Sequence, residues 1–166
     1  MRAVLQSKNF KLFGATGLMM MSALVYAGEH EHKHAEGKPA ASLNQGKKWE
    51  TDTPLRQSME NIRQLMSNSQ ADIEKEKLKP ADYQQLADAV DKNISYIVKN
   101  CKLSKEADNA FHTIVLADLI QNTEMMRKAP KIQMRRVGAL GVLQSLRHYG
   151  EYFQHPGWQI TTANPA

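Results

Sequence analysis

The chain has 166 residues, with 22 Lys+Arg against 17 Asp+Glu and a single cysteine. That length fits one domain around one core. The lone Cys101 excludes an intrachain disulfide, and no Lys/Arg stripe interleaved with aromatics accompanies the net charge of +5, which argues against nucleic acid as a partner.

Arg2, Lys8 and Lys11 open the chain with positive charge, and an apolar run follows from Leu12 to Tyr26 with Gly14 and Gly17 inside it. Val25 and Ala27 are the small residues wanted three and one places before a cleavage site. The pattern predicts a secretory signal peptide over 1–27, too short and wrongly flanked for a spanning helix. Its removal takes away three positive charges and no acid, so the net charge falls from +5 to +2. The expected localisation is export, into the periplasm of a Gram-negative cell. Cleavage after Ala27 leaves Gly28-Glu29-His30 at the front. A free amine, two deprotonated amides and the His30 imidazole form a square-planar four-nitrogen set that suits copper(II) and nickel(II). His32 and His34 add imidazoles. The plainer reading is a flexible His-rich leader that meets ions only incidentally. Residues 28–48 are polar and aperiodic and read as a disordered leader.

From Trp49 the pattern is helical. Asp52 or Thr53 followed by Pro54 starts a first helix, with Leu55, Met59, Ile62 and Met66 at helical spacing. Lys79-Pro80 starts a second, whose stripe is Tyr83, Leu86, Val90, Ile94 and Ile97 and which Cys101 extends. Ser104 with Glu106 opens a third, carrying Phe111, Val115, Leu116, Leu119 and Met126. Pro130 breaks the chain. A fourth helix carries Ile132, Ala139, Val142, Leu143, Leu146, Tyr149 and Phe153 and ends at Pro156-Gly157. Residues 159–166 read as a flexible tail. The expected fold is all-α: an antiparallel up-down-up-down four-helix bundle over 49–158, behind the signal peptide and leader. The basic residues around Pro130 read as a helix–helix corner.

Helical phase, at roughly 100° per residue, places Met59 mid-stripe and His112 in line with Val115, Leu116 and Leu119, hence inward. Asp108 lies one turn earlier and is placed to fix the tautomer of His112, as carboxylates behind metal-binding histidines do. In an up-down-up-down bundle Met59 lies about 9 Å and His112 about 12 Å from their helix starts, on the side where Cys101 ends the second helix and His155 follows the fourth. Thioether, thiol, imidazole and carboxylate then share one end, a donor set for copper first and zinc second. Each member also has a plain structural reading: Met59 as core filler, Cys101 as a buried thiol, Asp108–His112 as a packing pair, His155 as a cap. The phase of His148, beside Gly141, Ser145 and Tyr152, turns it away from the core stripe.

Leu55-Arg56-Gln57-Ser58-Met59-Glu60 resembles the first-helix segment in which the small periplasmic four-helix-bundle b-type cytochromes carry their haem-ligating methionine. That resemblance implies haem b held by Met59 and a last-helix histidine, here His148, with His112 as the other possibility, and a role in electron transfer. Gln144 stands where that family has an arginine. A wider likeness runs through Lys48-Trp49-Glu50-Thr51-Asp52-Thr53-Pro54-Leu55-Arg56, Tyr96–Leu103 with Asp108 and His112, and Tyr149-Gly150-Glu151-Tyr152-Phe153-Gln154-His155-Pro156-Gly157-Trp158. These segments are similar to a group of small exported proteobacterial helical proteins without an assigned activity, and imply export and helical content.

The chain has no Ser/His/Asp order, phosphate-cradling glycine loop or C-x-x-C-H site, so no enzymatic activity is expected. Cys101 with His112 as a nucleophile pair would need an exposed thiol of lowered pKa. Three functions stay open: an exported metal-binding bundle, with Gly28, His30, His32 and His34 in the leader and Met59, Cys101, Asp108, His112 and His155 at the bundle end; a b-type cytochrome; and a non-enzymatic structural or partner-binding bundle attached to a periplasmic or membrane complex. A Cys101-linked dimer is compatible with each.

Overall fold

A computed structural model describes residues 41–159 of the protein; all of them belong to the compact unit Ala35–Ala166. Among these residues the fold is all-helical and bundle-like, with four helices and no strand beyond two isolated bridges.

Helix α1 spans Thr53–Glu74, and the Asp52 side chain caps it by accepting from Leu55 N at 2.9 Å. Proline in its first turn loses no hydrogen bond there. Leu55, Met59, Ile62, Met66 and Ile73 form its buried stripe. Helix α2 spans Pro80–Asn100; the Asp82 carboxylate accepts from Lys79 N at 2.7 Å at its start. Tyr83, Leu86, Val90, Ile94 and Ile97 face the core.

Helix α3 (105–128) is three segments in one rod: α-helical Lys105–Phe111, a π-helical turn His112–Leu116, and α-helical Ala117–Lys128. Ser104 Oγ caps it, accepting from Ala107 N at 3.2 Å. In the π turn the Ala117 N–H donates to His112 O, five residues back. Helix α4 spans Ile132–Tyr152 and buries Ala139, Val142, Leu146 and Tyr149, with Phe153 buried just beyond its end. Ile132, expected in that stripe, is exposed: it is the first residue of the helix, at the edge of the core.

α1 packs on α2 and α4, α2 on α3, and α3 most closely on α4. That last contact depends on Gly138. A Cβ there would stand 2.5 Å from Met126 N and 2.7 Å from Asn122 O, so backbone meets backbone.

Two sets of polar contacts close the ends. At one, Arg136 Nε donates to Ile73 O at 2.9 Å and Arg135 Nε to Ala129 O at 2.8 Å, so α4 supplies donors to the free carbonyls where α1 and α3 finish. Arg127 pairs with Asp88 at 3.0 Å and Asp91 at 3.2 Å on α2. Around Pro130, Arg127, Arg135 and Arg136 therefore spend their donors within the fold. At the other end Asp52 Oδ2 accepts from Lys102 N at 2.6 Å, which fastens the start of α1 to the end of α2.

The ordered body begins earlier than Trp49. Asn44 and Lys47 exchange both main-chain hydrogen bonds, 2.8 and 2.9 Å, across a two-residue turn, and Gln45 and Gly46 take φ of 50° and 83°. Positive φ at both positions is what a tight two-residue turn requires. Over 42–48 this replaces the expectation of a structureless leader.

Candidate functional site

The end of the body where α1 and α3 start, and α2 and α4 finish, gathers most of the chemically distinctive side chains. A strap formed by residues 42–51 runs onto it. Trp49 N donates to Tyr152 O and Gln154 N to Trp49 O, both at 2.8 Å. Lys48 Nζ donates to Gly150 O and Thr51 Oγ1 to Gln154 O, each at 2.5 Å. Beside the strap lies a cavity of about 510 Å3 lined in part by Lys47, Lys48, Trp49, Ser104 and Ala107. Arg56 Nη1 reaches back to Thr51 O and Oγ1.

Cys101 caps α2 and is half-buried against Asp52. Burial pushes its thiol up to about 12, and the negative charge and hydrogen bond of Asp52 push the same way. Such a thiol is protonated at neutral pH and is a poor nucleophile. Asp108, in the first turn of α3, pushes the thiol in the same direction.

Tyr149 is fully buried, stacked on Phe153 at 5.6 Å and 6°, and Phe153 meets Phe111 edge-on at 5.6 Å. The Tyr149 hydroxyl hydrogen-bonds His155 Nδ1 at 3.1 Å. Burial raises the Tyr149 hydroxyl above its ordinary range and lowers the His155 imidazole below its own. His155 and Trp158 are brought together by a turn closed by Trp158 N donating to His155 O at 3.0 Å, with Gly157 at φ 79°. Trp158 lies edge-on to Tyr149 at 4.8 Å, and Arg63 sits 5.8 Å above its ring. Cysteine and tyrosine are both held neutral here, and His155 is engaged by Tyr149 and Trp158.

The predicted core metal set does not assemble. Met59 is fully buried and Cys101 half-buried, but the His112 side chain is 58 % exposed and Asp108 51 % exposed, their Nε2 and Oδ1 3.8 Å apart. The cause is the π turn. In an unbroken α-helix His112 and Leu119, seven residues apart, point within about 20° of each other. One extra residue per turn displaces everything ahead of it by about one helical step. Phe111 and Ala107 thus take the inward direction, and His112 turns out. Among the described residues no group of three or more His, Cys, Asp or Glu is placed to share an ion.

The haem ligand pair does not fit either. Met59 is sealed in the core, while His148 is half-buried with Nε2 held by Gln144 at 2.8 Å; the inward position next to it is Tyr149. Gly28, His30, His32 and His34 lie outside the described residues.

Sequence reasoning placed Tyr149 in the core and Asp52 at a cap but missed their second tasks, the contact with His155 and the pin on Lys102. Lys102 is contributed by a segment 50 residues away, and His155, though only six residues from Tyr149, is brought back to it by the turn that follows α4. Compared with known protein families, with curated proteins and with solved structures, the chain matches none.

Proposed function

We propose that the protein is an exported, non-catalytic helical bundle, its four helices running alternately up and down, that carries copper(II) on its leader. The bundle is the carrier, and His30, His32 and His34 are the ion-capturing part. A periplasmic or membrane-complex protein is the partner that receives the ion. The observation that carries this reading is the order Val25-Tyr26-Ala27-Gly28-Glu29-His30: cleavage after Ala27 creates a free amine two residues ahead of an imidazole, the four-nitrogen set copper(II) prefers. The short connections between helices support the alternating topology. The outward turn of His112 supports assigning ion capture to the leader alone.

Mass spectrometry of the exported protein tests the first step, with Gly28 as the expected first residue. Copper(II) titration of that material is expected to give one tight equivalent with a square-planar absorption spectrum, and His30→Ala to abolish it while leaving helical content unchanged. An N-terminus elsewhere, or an unchanged tight equivalent in His30→Ala, overturns the reading.

A further inference from the structure

Beyond Gln154 the chain is tied to the body by side chains. Gln154 N donates to Trp49 O, and Gln154 O accepts from Thr51 Oγ1. After that, among the described residues, the main chain of 155–158 makes one hydrogen bond, from Trp158 N to His155 O at 3.0 Å, and it lies within the turn itself. A cluster of rings holds the turn down. The Tyr149 hydroxyl meets His155 Nδ1 at 3.1 Å. The His155 ring stands edge-on to Tyr149 at 5.8 Å and lies 4.9 Å from Trp158, which in turn meets Tyr149 at 4.8 Å. A segment held by so few contacts is of the kind that opens locally while the core stays shut.

Two features make the closed position conditional. The Trp158 indole N–H is buried and has no hydrogen-bond partner, a standing cost of docking that water removes on opening. His155, for its part, sits where a neutral ring fits and a charged one does not. A neutral imidazole can accept the Tyr149 hydroxyl proton on Nδ1; an imidazolium accepts nothing. The groups that face the ring are Tyr149 from α4 and Arg56, Glu60 and Arg63 from α1. Both Glu60 oxygens are already engaged by Arg63, at 2.8 and 2.5 Å. Among the described residues no carboxylate hydrogen-bonds His155. Burial is the largest influence lowering its imidazole, the two arginines act the same way, and Glu60 opposes them.

We propose that residues 155–158 form a proton-released latch: with His155 neutral the turn is docked on Tyr149, and protonation frees it, baring Trp158 and the Tyr149 hydroxyl while the four helices stay folded. The proton comes from solvent and stays on the imidazole. A group that holds its proton less tightly docked than free is driven toward the free position by acid. The closed-to-open ratio falls by up to about tenfold per unit as pH drops below the ordinary value of 6.5. The device needs neither the leader nor an ion.

The test is 15N relaxation of the full chain between about pH 4 and 8. Heteronuclear NOEs of the Gly157 and Trp158 amides and of the Trp158 indole report release, and Trp158→Phe identifies the indole signal. Trp49, whose Nε1 donates to Ser42 O at 2.9 Å, is the internal control, and far-UV ellipticity reports the helices. The expected result is a fall in the three NOEs with a midpoint below 6.5, with Trp49 and the ellipticity unchanged. In His155→Gln the NOEs are expected to be independent of pH, at whatever level the variant turn takes. Glu60→Gln removes the one negative charge facing the ring, so an imidazolium is held less well in the closed position and release is expected at higher pH. NOEs that stay high throughout, a fall that comes only together with loss of ellipticity, a pH-dependent fall kept in His155→Gln, or a midpoint unmoved or lowered in Glu60→Gln overturns the proposal.

Discussion

Asp52 does three things with one carboxylate. It caps α1 through Leu55 N, pins Lys102 N, and sets the environment of Cys101. Losing a cap costs about 0.5–2 kcal/mol and a further hydrogen bond about 1 kcal/mol. Asp52→Ala is therefore expected to destabilise by about 2 kcal/mol, read from urea midpoints. Asp52→Asn keeps an acceptor and removes the charge. It should recover part of that loss and bring the Cys101 thiol down from about 12, so that its rate with a thiol reagent rises at lower pH than in the parent. It should stay above the ordinary thiol range, because burial, the largest cause, is unchanged. An unchanged pH–rate profile would show that the carboxylate charge does not govern this thiol.

The elements divide into those readable from spacing and those not. The stripes of α1 and α2, the Pro54 and Pro80 starts and the Ser104 cap were legible because helix propensity, capping and burial agree there. α3 was legible as a helix but not in phase. Nothing in His112-Thr113-Ile114-Val115-Leu116 announces an extra residue in one turn, and that residue decides whether a histidine faces the core. Close packing of α3 on α4 is the other non-local fact. Gly138 reads locally as a weak point in a helix, yet it is where two backbones touch. Gly138→Ala is expected to cost about 1–3 kcal/mol through overpacking, because backbone atoms must move. Gly141→Ala should cost less, since the atoms nearest the added carbon belong to the Asn122 side chain rather than to backbone. Thermal unfolding of the pair checks the order, and equal losses would mean that the α3–α4 contact is more pliant than these distances imply.

For the molecule as a whole, three groups drawn out of water set the edges of a stability plateau, His155 on the acid side and Cys101 with Tyr149 on the alkaline side. His155 has its imidazole lowered from 6.5 by burial, so the unfolded chain binds its proton first. Its contribution is complete above that value and is lost as pH falls below it. Cys101 is raised from 9.0 to about 12, and Tyr149 is raised above 10.0. Their contributions are complete below the unfolded values and are lost as pH climbs from about 9 upward. Chemical denaturation across pH should show a plateau between these edges. His155→Gln should flatten the acid edge, and Cys101→Ser should soften the alkaline one. An acid edge of equal depth in His155→Gln would assign it to other groups. This balance was not legible beforehand, because the groups that act on Cys101, Tyr149 and His155 beside burial, Asp52, Arg56 and Glu60 among them, stand far from them in the sequence.

The meeting of segments 42–51 and 153–158 has a mechanical side. Trp49 is joined to the main chain on both sides of Phe153, and Thr51 to Gln154, before the chain enters α1. A pull on whatever precedes Ser42 is taken up by the last helix rather than the first. The load must shear these few bonds away from Tyr152 and Gln154 before any of it reaches Leu55 and the packed interior, so the strap works as strain relief, like the clamp on a cable.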